Sequence, residues 1–207
     1  MELFKYKNYE EYKKIQIEAN VKKINSSFVD PNSLCLIFHY LIQNLNINPK
    51  LILCHGTRRG LEQKYIIGFL KSLGHTPEVI GTEISHTAMD YPNTIQWDFH
   101  ETKSEWINNT DIIYSNSFDH SYKPKECLDT WMSCLNKKGV CVIEYVPECD
   151  NKSQPTDPFA ATIEEYKNLI EEKYKIVEIL LNTGIEDKAH PNAGLHRHFI
   201  IIKNRDE

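Results

Sequence analysis

With 207 residues, 41% of them hydrophobic and 26% charged, the chain has the composition of an ordinary soluble globular protein, long enough for one substantial core and short for two. A net charge of -5 and the absence of a long basic run argue against a dedicated nucleic-acid binder. The charged start MELFKYKNYEEYKK lacks the apolar core of a secretory signal, and no apolar run reaches bilayer-spanning length; a cytoplasmic protein without a membrane partner is expected.

In chain order, NYEEYKKIQIEANVKKI places Tyr9, Tyr12, Ile15, Ala19 and Ile24 at roughly helical spacing and predicts an amphipathic helix. DPNSLCLIFHYLIQNL predicts a second, strongly apolar helix with Pro31 in its first turn, ending before Pro49. From Leu51 the character alternates. KLILCHG reads as a buried strand, RGLEQKYIIGFLKSLG as a helix stopped by Gly74, EVIGTEI as a strand and NTIQWDFHE as another short one. DIIYSNSF is a strand, KPKECLDTWMSCLNKKG a helix ending at Gly139, and VCVIEYV a strand. After the polar, Pro-bearing DNKSQPTDP come a helix, TIEEYKNLIEEKY, and two strands, KIVEILLN and RHFIIIKN, joined by a turn-rich segment and expected to be antiparallel neighbours. Strands alternating with helices predict an α/β fold: a three-layer, doubly wound, mostly parallel sheet with an antiparallel C-terminal strand, preceded by N-terminal helices. One domain over 1–207 is expected, with a helical cap at 1–49 and the sheet core at 50–207.

The cysteines, Cys35, Cys54, Cys127, Cys134, Cys141 and Cys149, form no Cys-x-x-Cys pair and read as reduced thiols rather than a disulfide frame or zinc site. His190, His196 and His198 include a His-x-His pair on one strand face, but no carboxylate or Cys completes a set nearby, and no metal site is expected.

Ligands of such a sheet bind beyond the carboxyl ends of its strands. Four segments there, LILCHGTRRG, VIGTEIS, IQWDFHE and DIIYSNSFDHSYKPKECLDTWMSCLNKKGVCVIE, come in an order that resembles the class I S-adenosylmethionine-dependent methyltransferases over most of 50–146. The first stands where that family has its glycine-rich loop, the second and third end in acids, and the fourth carries small polar residues, a His, a Pro and a helix before strand five. The loop departs from the family's G-x-G-x-G pattern: those places read Cys54, Gly56 and Arg58, and Ile52 stands where an acid is usual. The methionine tail of the cofactor is therefore expected to be held somewhat differently.

The resemblance implies S-adenosyl-L-methionine as cofactor. Glu83 would accept from both ribose hydroxyls, with Ile84 beside it, and Asp98 from the adenine amino group, with Phe99 as an apolar wall. Cys54, His55, Gly56 and Thr57 form the loop close to the cofactor, and Arg58 or Arg59 would pair with its carboxylate. Ser115 and Asn116, at the end of the fourth strand, complete the set. His120 is the first candidate for a base acting on the acceptor, with Asp119 and Asn116 orienting it or the substrate; a His that packs against the cofactor is the alternative. Of Glu144 and Tyr145 only one can face the acceptor, and Tyr9, Tyr12 and Phe28 are candidate acceptor walls. Trp131 reads as core and Trp97 as a border of the adenine site. The expected activity is methyl transfer to a small polar acceptor, a sugar or nucleotide sugar by preference. A non-catalytic binding protein of the same fold is the alternative, and a nicotinamide-linked oxidoreductase ranks lower because no G-x-G-x-x-G is present. The sequence leaves the oligomeric state open.

Overall fold

The computed structural model describes residues 1–147, 152–183 and 196–205. Its elements are β1 (Glu2–Leu3), α1 (Tyr9–Lys22), α2 (Pro31–Gln43), β2 (Leu51–His55), α3 (Leu61–Ser72), β3 (Glu78–Glu83), β4 (Thr94–Gln96), β5 (Thr110–Ser115), α4 (Pro124–Cys134), β6 (Leu135–Tyr145), β7 (Phe159–Ala160), α5 (Ile163–Glu171), β8 (Lys175–Thr183) and β9 (His196–Lys203). Short 3₁₀ turns cover His86–Asp90 and Phe118–His120. Cys149 and His190 lie outside the described residues. Among the described residues no helix is long and apolar enough to cross a membrane.

Seven strands form one sheet in the order β4-β3-β2-β5-β6-β9-β8. The pairs from β4 across to β6 are parallel, and β9 runs antiparallel to both β6 and β8. The run LILCH is buried throughout, and its alternation assigns the layers. Leu51 and Leu53 pack on one face with Trp131 and Met132 of α4 and Leu169 and Ile170 of α5. Ile52 and Cys54 pack on the other with Ile37, Phe38 and Leu41 of α2 and Ile66 and Leu70 of α3. Each such side chain taken fully out of water contributes roughly 1.5–3 kcal/mol. The three layers, parallel core and antiparallel strand are those expected from the sequence.

Caps fix where the helices start. Asn8 accepts from Glu11 N–H ahead of α1, Asp30 from the N–H groups of Asn32 and Ser33 ahead of α2, and Thr162 forms a capping box with Glu165 at α5. The N-terminal helices divide differently from the expected cap. Helix α2 is part of the sheet's helical layer, whereas α1 lies over the strand ends. The α1 face that is buried carries Tyr12, Gln16 and Asn20, a stripe at i, i+4 and i+8 with polar tips, so that of the positions that identified the helix only Tyr12 is fully buried.

Helix α4 is shorter than expected. It stops at Cys134 because Leu135 turns extended and pairs with Thr110, after which the register shifts before Ile112 meets Val140. Gly139 permits this close return, since a Cβ there would lie 2.7 Å from the Thr110 carbonyl oxygen. The antiparallel pair of β1 with β7 was not anticipated; two-residue strands carry no periodicity to read. The described cysteines are free thiols, four of them buried and Cys35 partly so.

Candidate active site

Residue pairing brings the carboxyl ends of three strands side by side: His55 of β2 lies opposite Thr82 of β3 and Ser115 of β5. Two adjoining cavities open there, of about 310 Å³ and 60 Å³, sharing Lys23, Gly56, Arg58, Ser117 and His120 in their walls. Glu83, Ile84, Asp98 and Phe99 line the smaller one, beneath Tyr12, Gln16 and Asn20 of α1. Thr57, Arg59, Glu62, Asn116 and Asp119 line the larger.

Glu83 is buried, and each carboxylate oxygen accepts one backbone N–H: Oε1 from Ser85 at 2.9 Å and Oε2 from Arg58 at 3.1 Å. Burial raises its pKa, opposed by the Ser85 N–H and by the side chain of Asn20. Asn20 Oδ1 is itself buried without a partner. This amide oxygen, and the Glu83 lone pairs that the two backbone N–H groups and the Asn20 amide do not use, remain for donors in the smaller cavity. Asp98 is engaged differently from expectation. Its Oδ1 accepts from His100 N–H at 2.9 Å and contacts His100 Nδ1 at 2.7 Å, and its Oδ2 accepts from the Tyr9 hydroxyl at 2.7 Å. Burial pushes the Asp98 carboxyl up, but His100 and Tyr9 outweigh it and hold it below the usual range.

The loop after β2 turns on Gly56, at φ +74°; a Cβ there would come within 2.6 Å of Ser117 Cβ, so the residue must be glycine on both counts. The N–H groups of Gly56 and Thr57 both go to the Thr82 carbonyl. Arg58, in the place of the third glycine, keeps a positive φ of 45°. Its guanidinium is 4.9 Å from the Phe28 ring centre and donates to Ser26 O. Arg59 Nε is buried without a hydrogen-bond partner. The side chains of Cys54, His55 and Ser115 do not line either cavity. Cys54 belongs to the α2–α3 core, His55 stacks on Trp131 at 4.8 Å and contacts Thr82 Oγ1, and Ser115 donates to His55 O. Burial depresses the pKa of His55 to about 3, so the ring is neutral.

His120 stands where the cavities meet. Gln16 donates through Nε2 to Pro155 O and Thr156 O, which leaves its Oε1 as an acceptor 3.1 Å from His120 Nδ1. That network assigns the proton to Nδ1 and leaves Nε2 bare. Nε2 faces Asp157 at 3.6 Å and Asp119 at 4.0 Å. Burial lowers the His120 pKa, and Asp157 partly restores it. Asp119 is pushed up to about 7 by burial and by the charge of Asp157, whose own carboxyl is held low, against its burial, by His120. The three ligand atoms of Asp119, His120 and Asp157 lie within 4.8 Å of one another, with Lys23 as a neighbouring cation. This grouping was not foreseen in the sequence.

Between Glu144 and Tyr145 the structure selects Glu144 for the cavity wall; Tyr145 packs on Tyr166 in the α5 core. Glu144 accepts from Arg197 Nε at 2.8 Å and from the Tyr114 hydroxyl, all three buried. Phe28 lines the larger cavity. Trp131 is core as expected, but Trp97 packs against Trp106 and lines neither cavity. Sequence reasoning missed Gln16, Asn20, Glu62, Asp157 and Arg197. The first two were visible as polar residues four apart on α1; Asp157 sits in an irregular segment and Arg197 between two more conspicuous histidines.

No family model and no curated protein sequence matches the chain. Solved structures do. The Burkholderia thailandensis 1,6-didemethyltoxoflavin-N1-methyltransferase, with bound 1,6-didemethyltoxoflavin and S-adenosylhomocysteine, is 14% identical, with 98% of this chain and 93% of that one aligned at a TM-score of 0.70. The plantazolicin methyltransferase BpumL, in complex with a triazolic desmethylPZN analog and S-adenosylhomocysteine, is 17% identical over 95% and 98% of the two chains at 0.63. A S-adenosylmethionine-dependent methyltransferase from Anabaena variabilis is 16% identical over 99% and 98% at 0.62. At these identities the likeness is one of fold, and the fold is that of the class I S-adenosylmethionine-dependent methyltransferases.

Proposed function

We propose that the protein is an S-adenosylmethionine-dependent methyltransferase for a small polar acceptor. The observation that carries this reading is that Gly56 at the tip of β2 and Glu83 at the tip of β3 line one cavity, joined through the Arg58 N–H. The residues fit the group. Glu83 and Asn20 would take the ribose hydroxyls, Phe99 and Ile84 would border the adenine, and Arg59 would meet the carboxylate end with an unpartnered donor. Arg58 is spent on Ser26 and Phe28, which leaves Arg59 the better of the two arginines proposed for that role. Bound S-adenosylmethionine supplies a methyl group already activated on a sulfonium, so the protein's task is alignment and removal of the acceptor's proton.

The bare Nε2 of His120 takes that proton from an acceptor hydroxyl in the larger cavity. Gln16 fixes the ring, and Asp157 stabilises the imidazolium that results. The polar walls supplied by Lys23, Asn116, Asp119 and Gln154 suit an acceptor with several hydrogen-bonding groups, a sugar or nucleotide sugar among them. The fold relatives bind other small acceptors, 1,6-didemethyltoxoflavin and a desmethylPZN analog.

Calorimetry with S-adenosylhomocysteine tests the reading: micromolar binding is expected in the wild type, with loss in Glu83→Ala. Absence of binding in the wild type overturns it. A non-catalytic binding protein is the second reading, favoured by Arg58 in a glycine's place; binding without methyl release to any of a panel of hydroxylated metabolites would select it.

A further inference from the structure

Helix α3 begins at Gly60, which offers no side-chain cap, and its first turn carries a carboxylate that faces the larger cavity. Glu62 is 6% exposed. Its Oε1 accepts from Asn116 Nδ2 at 3.3 Å, and its Oε2 is buried with no partner. A buried carboxylate oxygen without a donor is costly, and the cost is removed when a cation arrives. Among the described residues none of the nearby cations hydrogen-bonds to Oε2. The charge of Arg58 lowers the Glu62 pKa in part, but its guanidinium reaches over Phe28 to Ser26, Arg197 pairs with Glu144, and Lys23 acts on Asp119, His120 and Asp157.

The other orphan on the same wall has the opposite sign: Arg59 Nε, three residues earlier in the chain. One carboxylate oxygen and one guanidinium nitrogen near the start of one helix, each without a hydrogen-bond partner among the described residues, make a receptor for a zwitterion. Strand β2 brings no acid to this loop, since Ile52 lies in the core. The only acidic side chain in the turn from 55 to 63 is Glu62.

Resting on the methyl-donor reading above, we propose that Glu62 binds the α-ammonium group of the donor's methionine moiety through Oε2, opposite Arg59 at the carboxylate, replacing the strand-borne acid that this chain lacks. Glu62 is then a binding residue whose contribution depends on the ligand's amino group and on nothing else in the ligand. Burial raises its carboxyl to about 7, so capture of an ammonium releases a proton below that pH.

The test is a binding cycle by calorimetry on the full chain. Wild type and Glu62→Gln are titrated with S-adenosylhomocysteine, with 5′-methylthioadenosine, which lacks the amino-acid tail, and with 5′-S-(3-carboxypropyl)-5′-thioadenosine, which lacks only the amino group. Glu62→Gln is expected to weaken S-adenosylhomocysteine about 10- to 100-fold and to leave the other two within about twofold. Proton release on binding S-adenosylhomocysteine at pH 6, seen as a dependence on buffer ionisation enthalpy, should vanish in the variant. Equal weakening of all three ligands, or of none, overturns the assignment while leaving the donor site in place. Failure of the wild type to bind any of the three overturns the assignment together with the methyltransferase reading. Glu62→Ala, judged by its melting curve, separates a folding defect from a binding one, and its losses must follow the same ligand order.

Discussion

The hydroxyl of Tyr9 donates to Oδ2 of Asp98 over 2.7 Å and ties the first turn of α1 to the loop beyond β4. Asp98 is the acid that the sequence assigned to the adenine, and the bond consumes its second oxygen. Below α1 the smaller cavity is only about 60 Å³. The helix covers that cavity, and the Tyr9–Asp98 bond is one of the contacts that hold it there. Tyr9→Phe should speed hydrogen exchange across Tyr9–Lys22 while leaving the sheet unchanged, and should raise the association rate of S-adenosylhomocysteine several-fold. A hydrogen bond to a carboxylate contributes roughly 1.5–3 kcal/mol, so global stability should fall by no more than that. Unchanged exchange in α1 would show that the helix is held by its other contacts alone.

Arg58 is in the left-handed region at φ 45°, where a side chain costs ~1 kcal/mol relative to glycine. Against this stand its cation–π contact with Phe28, ~0.5–1 kcal/mol, and its bond to Ser26 O. The N–H that reaches Glu83 belongs to the backbone and survives substitution. Arg58→Gly should therefore be nearly neutral in urea unfolding, within about 1 kcal/mol, and should preserve nucleoside binding while exchange at residues 26–28 increases. A loss of several kcal/mol would mean that the arginine holds the loop.

The layers of the fold were legible because LILCH, VCVIEYV and RHFIIIKN are apolar for long enough to demand burial, and the helices between them announce themselves by spacing and caps. Glu83, Gly56 and His120 were legible as residues lining the cavities because strand ends define where a ligand can go. What stayed hidden were partners joined across long distances in the chain. Gln16 reaches His120 and Asp157 faces the same ring, yet neither stands near a motif. Cys54, His55 and Ser115 illustrate the opposite error. Proximity to the loop in sequence suggested contact, but the pleat turns Cys54 into the core, and tertiary stacking takes the His55 ring onto Trp131. Glu62 was not singled out in the sequence, since nothing local distinguishes an exposed acid from one held over a cavity.

His120 offers a direct check on the proton assignment. Nitrogen-edited NMR of the ring should find Nδ1 protonated and Nε2 bare at neutral pH, as the Gln16 amide requires. Its titration midpoint should fall below the ordinary 6.5, because burial outweighs the attraction of Asp157. Asp157→Asn removes the negative charge that favours the imidazolium, so the midpoint should move lower still. With a folded pKa below the unfolded one, protonating His120 costs stability as pH drops below 6.5. A midpoint above 6.5, or an upward move in Asp157→Asn, would remove His120 from the role of base.

Glu62 carries a stability consequence opposite in sign to its binding role. In the unliganded protein its carboxyl is raised from 4.5 to about 7 by burial, only partly offset by hydrogen bonds, the Asn116 amide among them. The unfolded chain therefore gives up this proton first. The contribution of Glu62 is fully present below pH 4.5 and is lost as pH rises to about 7, beyond which it is constant. Glutamine has the same shape and no such titration. Glu62→Gln should match the wild type in urea unfolding near pH 4.5 and exceed it by up to about 3 kcal/mol at pH 8, although the same variant is expected to bind S-adenosylhomocysteine more weakly. A stability difference that does not change between the two pH values would mean that Glu62 is already neutralised in the free protein, and its Oε2 would then have no call on an incoming ammonium.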